Sequence, residues 1–149
     1  MMCRSKNMYQ RYHLSHADAL KMITSIQAKL EQEKKGAAIA VTDAQGELLA
    51  FLRTDGCKLP SILIAINKAY TAARQQEESY AIGESSRSQG FPMTNFGDLR
   101  YTAWGGGIPI FHHGQVIGAV GVSGLPETEN MELALMAARL VAENWSGLK

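Results

Sequence analysis

The chain has 149 residues, 46% of them hydrophobic, which is enough for one domain of ordinary size with its own core. Fifteen basic and fourteen acidic side chains leave a net charge of +1, so no basic excess favours a nucleic-acid partner. No apolar run reaches the roughly 20 residues of a membrane helix and no secretory signal opens the chain, so we expect no membrane partner and a cytoplasmic location. Cys3 and Cys57 show no CxxC spacing, and both are expected to stay reduced there.

The first predicted element is a helix that begins at Ser15. Serine is a good N-cap, and Asp18 places a carboxylate in the first turn, where it complements the helix dipole. Lysines followed by Gly36 are the usual signals for a helix end. Residues 1–13 are therefore expected to form an N-terminal extension, and residues 14–149 the domain. Apolar residues recur at helical spacing at Ala19, Met22, Ile23, Ile26 and Leu30.

A β-hairpin is predicted next. Residues 37–42 and 48–53 are both β-compatible, and Asp43–Gly46 between them has the Asp and Gly of a type I turn. Pro60 and Ser61 then open a second helix, which is apolar over much of its circumference and therefore expected to be buried on more than one side.

Residues 75–99 contain several Gly and Pro breakers among charged and small residues, which predicts a partly irregular connection with at most a short helical turn. The β pattern returns at Tyr101. A second hairpin follows, with strands at 108–111 and 116–122 and a turn at His112–Gln115. A last amphipathic helix completes the chain.

This order predicts an α+β fold. Hairpins make neighbouring strands antiparallel, and helices must cover the sheet because the sequence offers no second sheet. We therefore expect a central antiparallel sheet flanked by three main helices, in a profilin-like or PAS-like sandwich.

The four histidines are the first candidates for chemistry. His13 and His16 lie around the start of the first helix, and His112 and His113 lie in the second hairpin turn, where polar residues are common anyway. The spacing does not predict a zinc site, which needs at least three ligands brought together. A single imidazole is enough for a haem iron, so each of these histidines is either a ligand or an ordinary surface residue.

Glycine is the second unusual feature. Gly105, Gly106 and Gly107 interrupt a β pattern, which indicates either a bulge or a floor that a flat or anionic ligand approaches closely. Ser123 ends a strand of small residues before the last helix, which again permits close approach. No GxSxG motif surrounds it, so a serine hydrolase is not favoured.

Charged residues form the third candidate group. Lys68 lies on the apolar second helix, where a lysine either extends its ammonium to solvent or meets a carboxylate or a ligand anion. Arg53 ends the first hairpin nearby in the sequence.

Several ordered motifs resemble the GlcG/HbpS family. They are Ala40–Gly46 (AVTDAQG), Arg53–Gly56 (RTDG), Asn67–Ala72 (NKAYTA), Gly105–Pro109 (GGGIP) and Val116–Gly124 (VIGAVGVSG). The resemblance covers the chain from about Leu14 onward. Two segments depart from the family pattern: the stretch after Gly124, and the connection that leads to Arg100.

The resemblance implies a compact domain that assembles into a homo-oligomer and, in some members, binds haem or a corrinoid. We therefore expect an oligomeric accessory to a cofactor-dependent pathway that holds a tetrapyrrole. His13 and His16 are the first candidates for the metal ligand, and His16 is the one we select. Arg53, Lys68, Gly105–Gly107 and Ser123 would contact the rest of the cofactor. Two alternatives stay open: an enzyme acting on a small organic acid or on the tetrapyrrole, and a scaffold without ligand.

Overall fold

The computed structural model describes residues 7–146. Within this range the chain forms four α-helices, four β-strands and one short 3-10 helix. In chain order these are α1 (His16–Glu33), β1 (Ala38–Asp43), β2 (Leu48–Arg53), α2 (Ser61–Gln75), α3 (Ser79–Gln89), the 3-10 helix (Met93–Phe96), β3 (Gly107–His112), β4 (Gln115–Ser123) and α4 (Glu127–Ser146). None of these helices is long and apolar enough to cross a membrane.

The strands form one antiparallel sheet in the order β2-β1-β4-β3, which confirms the predicted α+β class. Asp43 pairs with Gly118, and Ala38 pairs with Ser123. Both hairpin turns, at residues 44–47 and 113–114, therefore lie at the same end of the sheet. We call this the hairpin end, and the opposite end, where β4 finishes at Ser123, the cleft end.

Helices cover both faces of the sheet. On one face α1 and α4 pack on branched side chains such as Ile39 and Val120, while on the other α2 packs on small residues such as Ala40. The small residues let α2 approach closely. A Cβ added at Gly121 would stand 2.2 Å from the carbonyl oxygen of Ala65, so only glycine fits there.

The connection 75–99 is more regular than predicted, because it contains the eleven-residue helix α3. Gly83 looks like a helix breaker in the sequence. In the structure it lies inside α3, where a Cβ would come 2.0 Å from the carbonyl oxygen of Ala103. The glycine thus allows two backbones to touch, and the domain has four helices in its described part rather than three.

The β pattern expected from Tyr101 is also wrong, because β3 begins only at Gly107. The preceding loop is held against α2 by polar contacts instead. The Tyr70 hydroxyl donates to Asp98 Oδ2 at 2.6 Å, and the Arg74 side chain donates to the Tyr101 hydroxyl at 3.0 Å. Burial and the bond to Asp98 raise the pKa of Tyr70 to about 12.

Candidate functional site

The candidate residues are divided between the two ends of the sheet. Lys68, Gly105 and Ser123 line one cleft at the cleft end. His13 lies at the hairpin end, where its ring contacts the backbone of Ala44. Six residue steps of β4, about 20 Å of extended chain, separate Ile117 near the histidines from Ser123. One subunit therefore does not bring the histidines together with Lys68.

The cleft has a volume of about 610 Å³, within the range of small-molecule sites. It opens between the N-terminus of α2, at Ser61, and the N-terminus of α4, at Glu127. Helix N-termini carry unsatisfied backbone N–H groups and a partial positive charge. The lining residues are Lys58, Ser61, Ile64, Lys68, Trp104, Gly105, Ser123, Gly124, Leu125, Pro126, Glu127 and Asn130.

Lys68 is the central charged group of the cleft. Its side chain projects from α2 and is buried, with a residue exposure of only 2%. The ammonium donates one hydrogen bond, to the carbonyl oxygen of Val122 at 2.9 Å. Burial lowers the pKa of Lys68 to about 8, and the negative charge of Glu127 opposes that shift. An ammonium has three N–H donors, so this bond leaves two of them available for other acceptors.

Two serine side chains line the same cleft as this ammonium. Ser61 and Ser123 are 6% and 5% exposed, and neither hydroxyl has a hydrogen-bond partner within residues 7–146. By contrast, the Asn130 amide is satisfied by both backbone groups of Leu125, and the Glu127 carboxylate accepts the N–H of Gly105 at 2.7 Å. Lys68 and the two serines therefore keep free donors in the buried part of the cleft, and the more exposed Lys58 and Trp104 add donors at its margin.

Three consecutive glycines are explained mainly by packing. A Cβ at Gly106 would stand 2.9 Å from Lys68 Nζ, and one at Gly107 would stand 2.2 Å from the Lys68 carbonyl oxygen. Gly106 also has a φ of +129°, which side chains rarely adopt. Gly105 alone lines the cleft. Contact of this run with a ligand stays a prediction, and Gly105 is the glycine positioned to make it in the cleft.

Arg53 remains at the margin of the cleft end. It lies on the edge strand β2 opposite Ala38, is exposed, and is absent from the cleft lining. Its charge slightly opposes the burial that raises the pKa of the nearby Cys57 thiol. Cys57 is unpaired, and Cys3 lies outside the described residues.

The N-terminal segment crosses the hairpin end and places aromatic rings there. Leu14 N–H donates to the Ile117 carbonyl oxygen, and Arg11 donates to that of Val116. The Tyr12 ring packs edge-on against His112, with centroids 5.1 Å apart, and His112 stacks on His113 at 3.9 Å. Three histidines thus contact one end of the sheet, and His16 follows two residues after Leu14.

The two N-terminal histidines differ in how available their nitrogens are. His13 Nδ1 accepts the N–H of Ala44 at 3.3 Å. In the neutral ring that accepts this bond, the proton sits on Nε2, so Nε2 has no lone pair for a metal. His16 is exposed and makes no hydrogen bond or ion pair within residues 7–146, so both of its nitrogens can be reached.

Across residues 7–146, no three His, Cys, Asp or Glu side chains are grouped so that they could hold a bare metal ion. A haem differs in this respect, because its porphyrin supplies four of the ligands and the protein needs to supply only one or two. The histidine set therefore fits a haem better than a structural metal.

Sequence reasoning missed several cleft residues, namely Lys58, Trp104, Glu127 and Asn130. They come from three segments that only the tertiary fold brings together. One signal was available: Ser61 and Lys68 are seven residues apart, so they lie two turns apart on one face of α2.

Comparison with known proteins places this fold in a family. A family model described as "Haem degrading protein HbpS-like" matches residues 14–139. Protein GlcG of Escherichia coli K12 is 34% identical over 116 residues, which span 74% of this chain and 81% of GlcG.

Two solved structures share the fold. Klebsiella pneumoniae protein ORFY is 26% identical with a TM-score of 0.85, covering 92% of this chain and 96% of ORFY. A structure named as a complex of PduOC with haem is 21% identical with a TM-score of 0.79, covering 85% of this chain and 94% of PduOC. The chain belongs to the HbpS-like family.

Proposed function

We propose that this protein binds haem at the hairpin end, with the His16 imidazole as the iron ligand. The observation that carries the proposal is the exposed His16 imidazole, which has no partner in the described part of the chain and follows four residues after Tyr12, whose ring packs on His112 at the hairpin end. The family description and the haem complex of PduOC, a protein of the same fold, support the choice of ligand.

The segment that leads to His16 and the adjacent end of β3 carry exposed aromatic rings, which suits a flat apolar cofactor. Tyr9, Tyr12 and Phe111 are 82%, 56% and 49% exposed, which is unusual for large apolar rings unless something covers them. Arg11 lies on the same segment and supplies a cation for a haem carboxylate. When bound, the haem supplies iron-centred redox chemistry, and these residues hold and orient it.

A haemin titration followed by the Soret band tests this proposal. Wild type is expected to give a shifted band, and His16→Ala is expected to lose it. His13→Ala is the matched control, because its Nδ1 is already engaged, and it should bind like wild type. A corrinoid offers the same imidazole chemistry, so a cobinamide titration forms the second arm.

Two outcomes would count against the proposal. Absence of a shifted band in wild type rejects haem binding altogether. If His16→Ala still binds haem and a His112→Ala/His113→Ala double variant does not, the histidine that ligates the iron lies in the β3–β4 turn instead.

We further propose that the protein acts as a homo-oligomeric accessory protein in the cytoplasm. Leu59, two residues before α2, and Leu63, in its first turn, are 69% and 62% exposed, and a symmetric contact would bury them. Light scattering at micromolar concentration should give a multiple of the 16.3 kDa chain mass, and Leu59→Glu/Leu63→Glu should lower it. A monomer mass for wild type would reject the assembly.

A further inference from the structure

We propose that the cleft at the cleft end is a second ligand site, which binds a small oxoanion such as a carboxylate or phosphate group through Lys68, Ser61 and Ser123. It lies about 20 Å of strand from the proposed haem ligand and does not depend on haem binding. Nothing in the haem proposal uses these three side chains.

The first argument comes from Lys68. The Lys68 ammonium has three N–H donors but one acceptor, the Val122 carbonyl oxygen. Burial of an ammonium is costly unless its donors are satisfied, so a lysine that only held this carbonyl would be unfavourable. Glu127 does not satisfy them, because it forms no ion pair with Lys68 within 4 Å among the described residues and its carboxylate binds the Gly105 N–H. The missing acceptor is what an oxoanion would supply.

The second argument comes from the serines. Both residues are more than nine-tenths buried, line the same cleft, and make no hydrogen bond through their hydroxyls within residues 7–146. Neither serine Oγ is among the fully buried side-chain atoms that lack a partner, so both hydroxyls open into the cleft, where each can donate a hydrogen bond to a ligand or to solvent. Ser61 Oγ is also only 3.5 Å from where a Cβ on Gly124 would stand, so it reaches across from α2 to the segment before α4.

The third argument is electrostatic. Both helices that open the cleft are long, with 15 residues in α2 and 20 in α4, and no side chain caps the N-terminus of α2. Lys58 and Lys68 outnumber the single carboxylate of Glu127 in the lining. The oriented N–H groups and the excess positive charge both favour an anion. Ile64 and Trp104 form an apolar wall, which leaves room for the short carbon chain of an organic acid.

Amide chemical shifts in the ¹⁵N-labelled protein test the site directly. The probes are sodium acetate, sodium malonate and inorganic phosphate, each compared with sodium chloride at the same ionic strength. We expect saturable shifts at Ser61, Gly105 and Gly124 with at least one probe and not with chloride. A response to acetate or malonate alone identifies a carboxylate ligand, and a response to phosphate alone identifies a phosphate ligand.

Variants then assign the contacts. Lys68→Met is expected to weaken binding at least about tenfold, since it removes a charge-assisted hydrogen bond. Ser61→Ala/Ser123→Ala keeps the packing and should weaken binding about tenfold as well. Ser25→Ala, on α1 across the sheet, is the control and should bind like wild type. If Lys68→Met does not fold, the serine variant decides.

The proposal is overturned if none of the three probes gives saturable shifts in wild type. It is also overturned if the double serine variant, or a folded Lys68→Met variant, binds with wild-type affinity.

Discussion

Replacing Lys68 by methionine separates a structural role of this lysine from a binding role. A fall of the Lys68 pKa from 10.5 to about 8 means that the folded state disfavours the ammonium by about 3 kcal/mol. Methionine removes this penalty but leaves the Val122 carbonyl oxygen without its lysine donor, which costs about 1–3 kcal/mol. Lys68→Met should therefore be as stable as wild type at pH 7, or more stable by up to about 2 kcal/mol.

The shifted pKa of Lys68 also predicts how the stability of wild type changes with pH. The folded-state pKa of about 8 lies below the unfolded value near 10.4, so between these values the unfolded state binds more protons and wild-type stability rises with pH. The burial penalty is complete below pH 8 and falls as pH rises toward 10.4. The charged groups that line the cleft with Lys68 are Glu127 and Lys58. Both remain in the variant.

Urea unfolding of wild type and Lys68→Met at pH 7 and pH 10 measures this. The stability of Lys68→Met relative to wild type should fall by about 2–3 kcal/mol between the two pH values. The reasoning is refuted if Lys68→Met is at least about 1 kcal/mol less stable than wild type at pH 7, or if the difference in free energy of unfolding between the two proteins is the same at pH 7 and pH 10. Lys68 would then be a structural residue.

Three further predictions concern the fold. Gly121→Val should destabilise the protein by about 3 kcal/mol or more, measured by urea unfolding, because its Cβ meets the Ala65 backbone; a loss below about 1 kcal/mol would contradict the tight α2 packing. Ser15→Ala should cost about 1 kcal/mol, because Ser15 Oγ accepts the Asp18 N–H at 3.1 Å, and an unchanged urea midpoint would reject that cap. In an absorbance titration, one of the five tyrosines should ionise near pH 12, and this step should be absent in Tyr70→Phe. Ionisation of all five near pH 10 would contradict the buried hydrogen bond of Tyr70.

Local sequence signals predicted those elements whose structure is decided locally. Ser15 caps α1 as expected, and the two hairpin turns form where Asp43–Gly46 and His113–Gly114 supply the required turn residues. Their geometry depends on a few neighbouring residues, so the sequence alone carries it. The antiparallel sheet then follows from the two hairpins.

Features that depend on distant contacts were not predictable in the same way. Gly83 resembles a helix breaker in sequence, and only its contact with Ala103 shows why a glycine stands within a helix. The cleft likewise joins residues from the starts of α2 and α4 with Trp104, which no spacing rule connects. Lys68 was recognisable because a charge on an apolar helix is conspicuous, whereas its separation from the histidines required the strand register.

The position of the haem is tested most directly by paramagnetic broadening of amide signals after addition of ferric haem. Haem at His16 predicts that the signals of residues 11–16 and of the turn at 113–114 disappear, while those of Gly105 and Gly124 at the cleft end stay sharp. Loss of the Gly105 and Gly124 signals, with the His16 region unchanged, would contradict the assignment of the haem to the hairpin end.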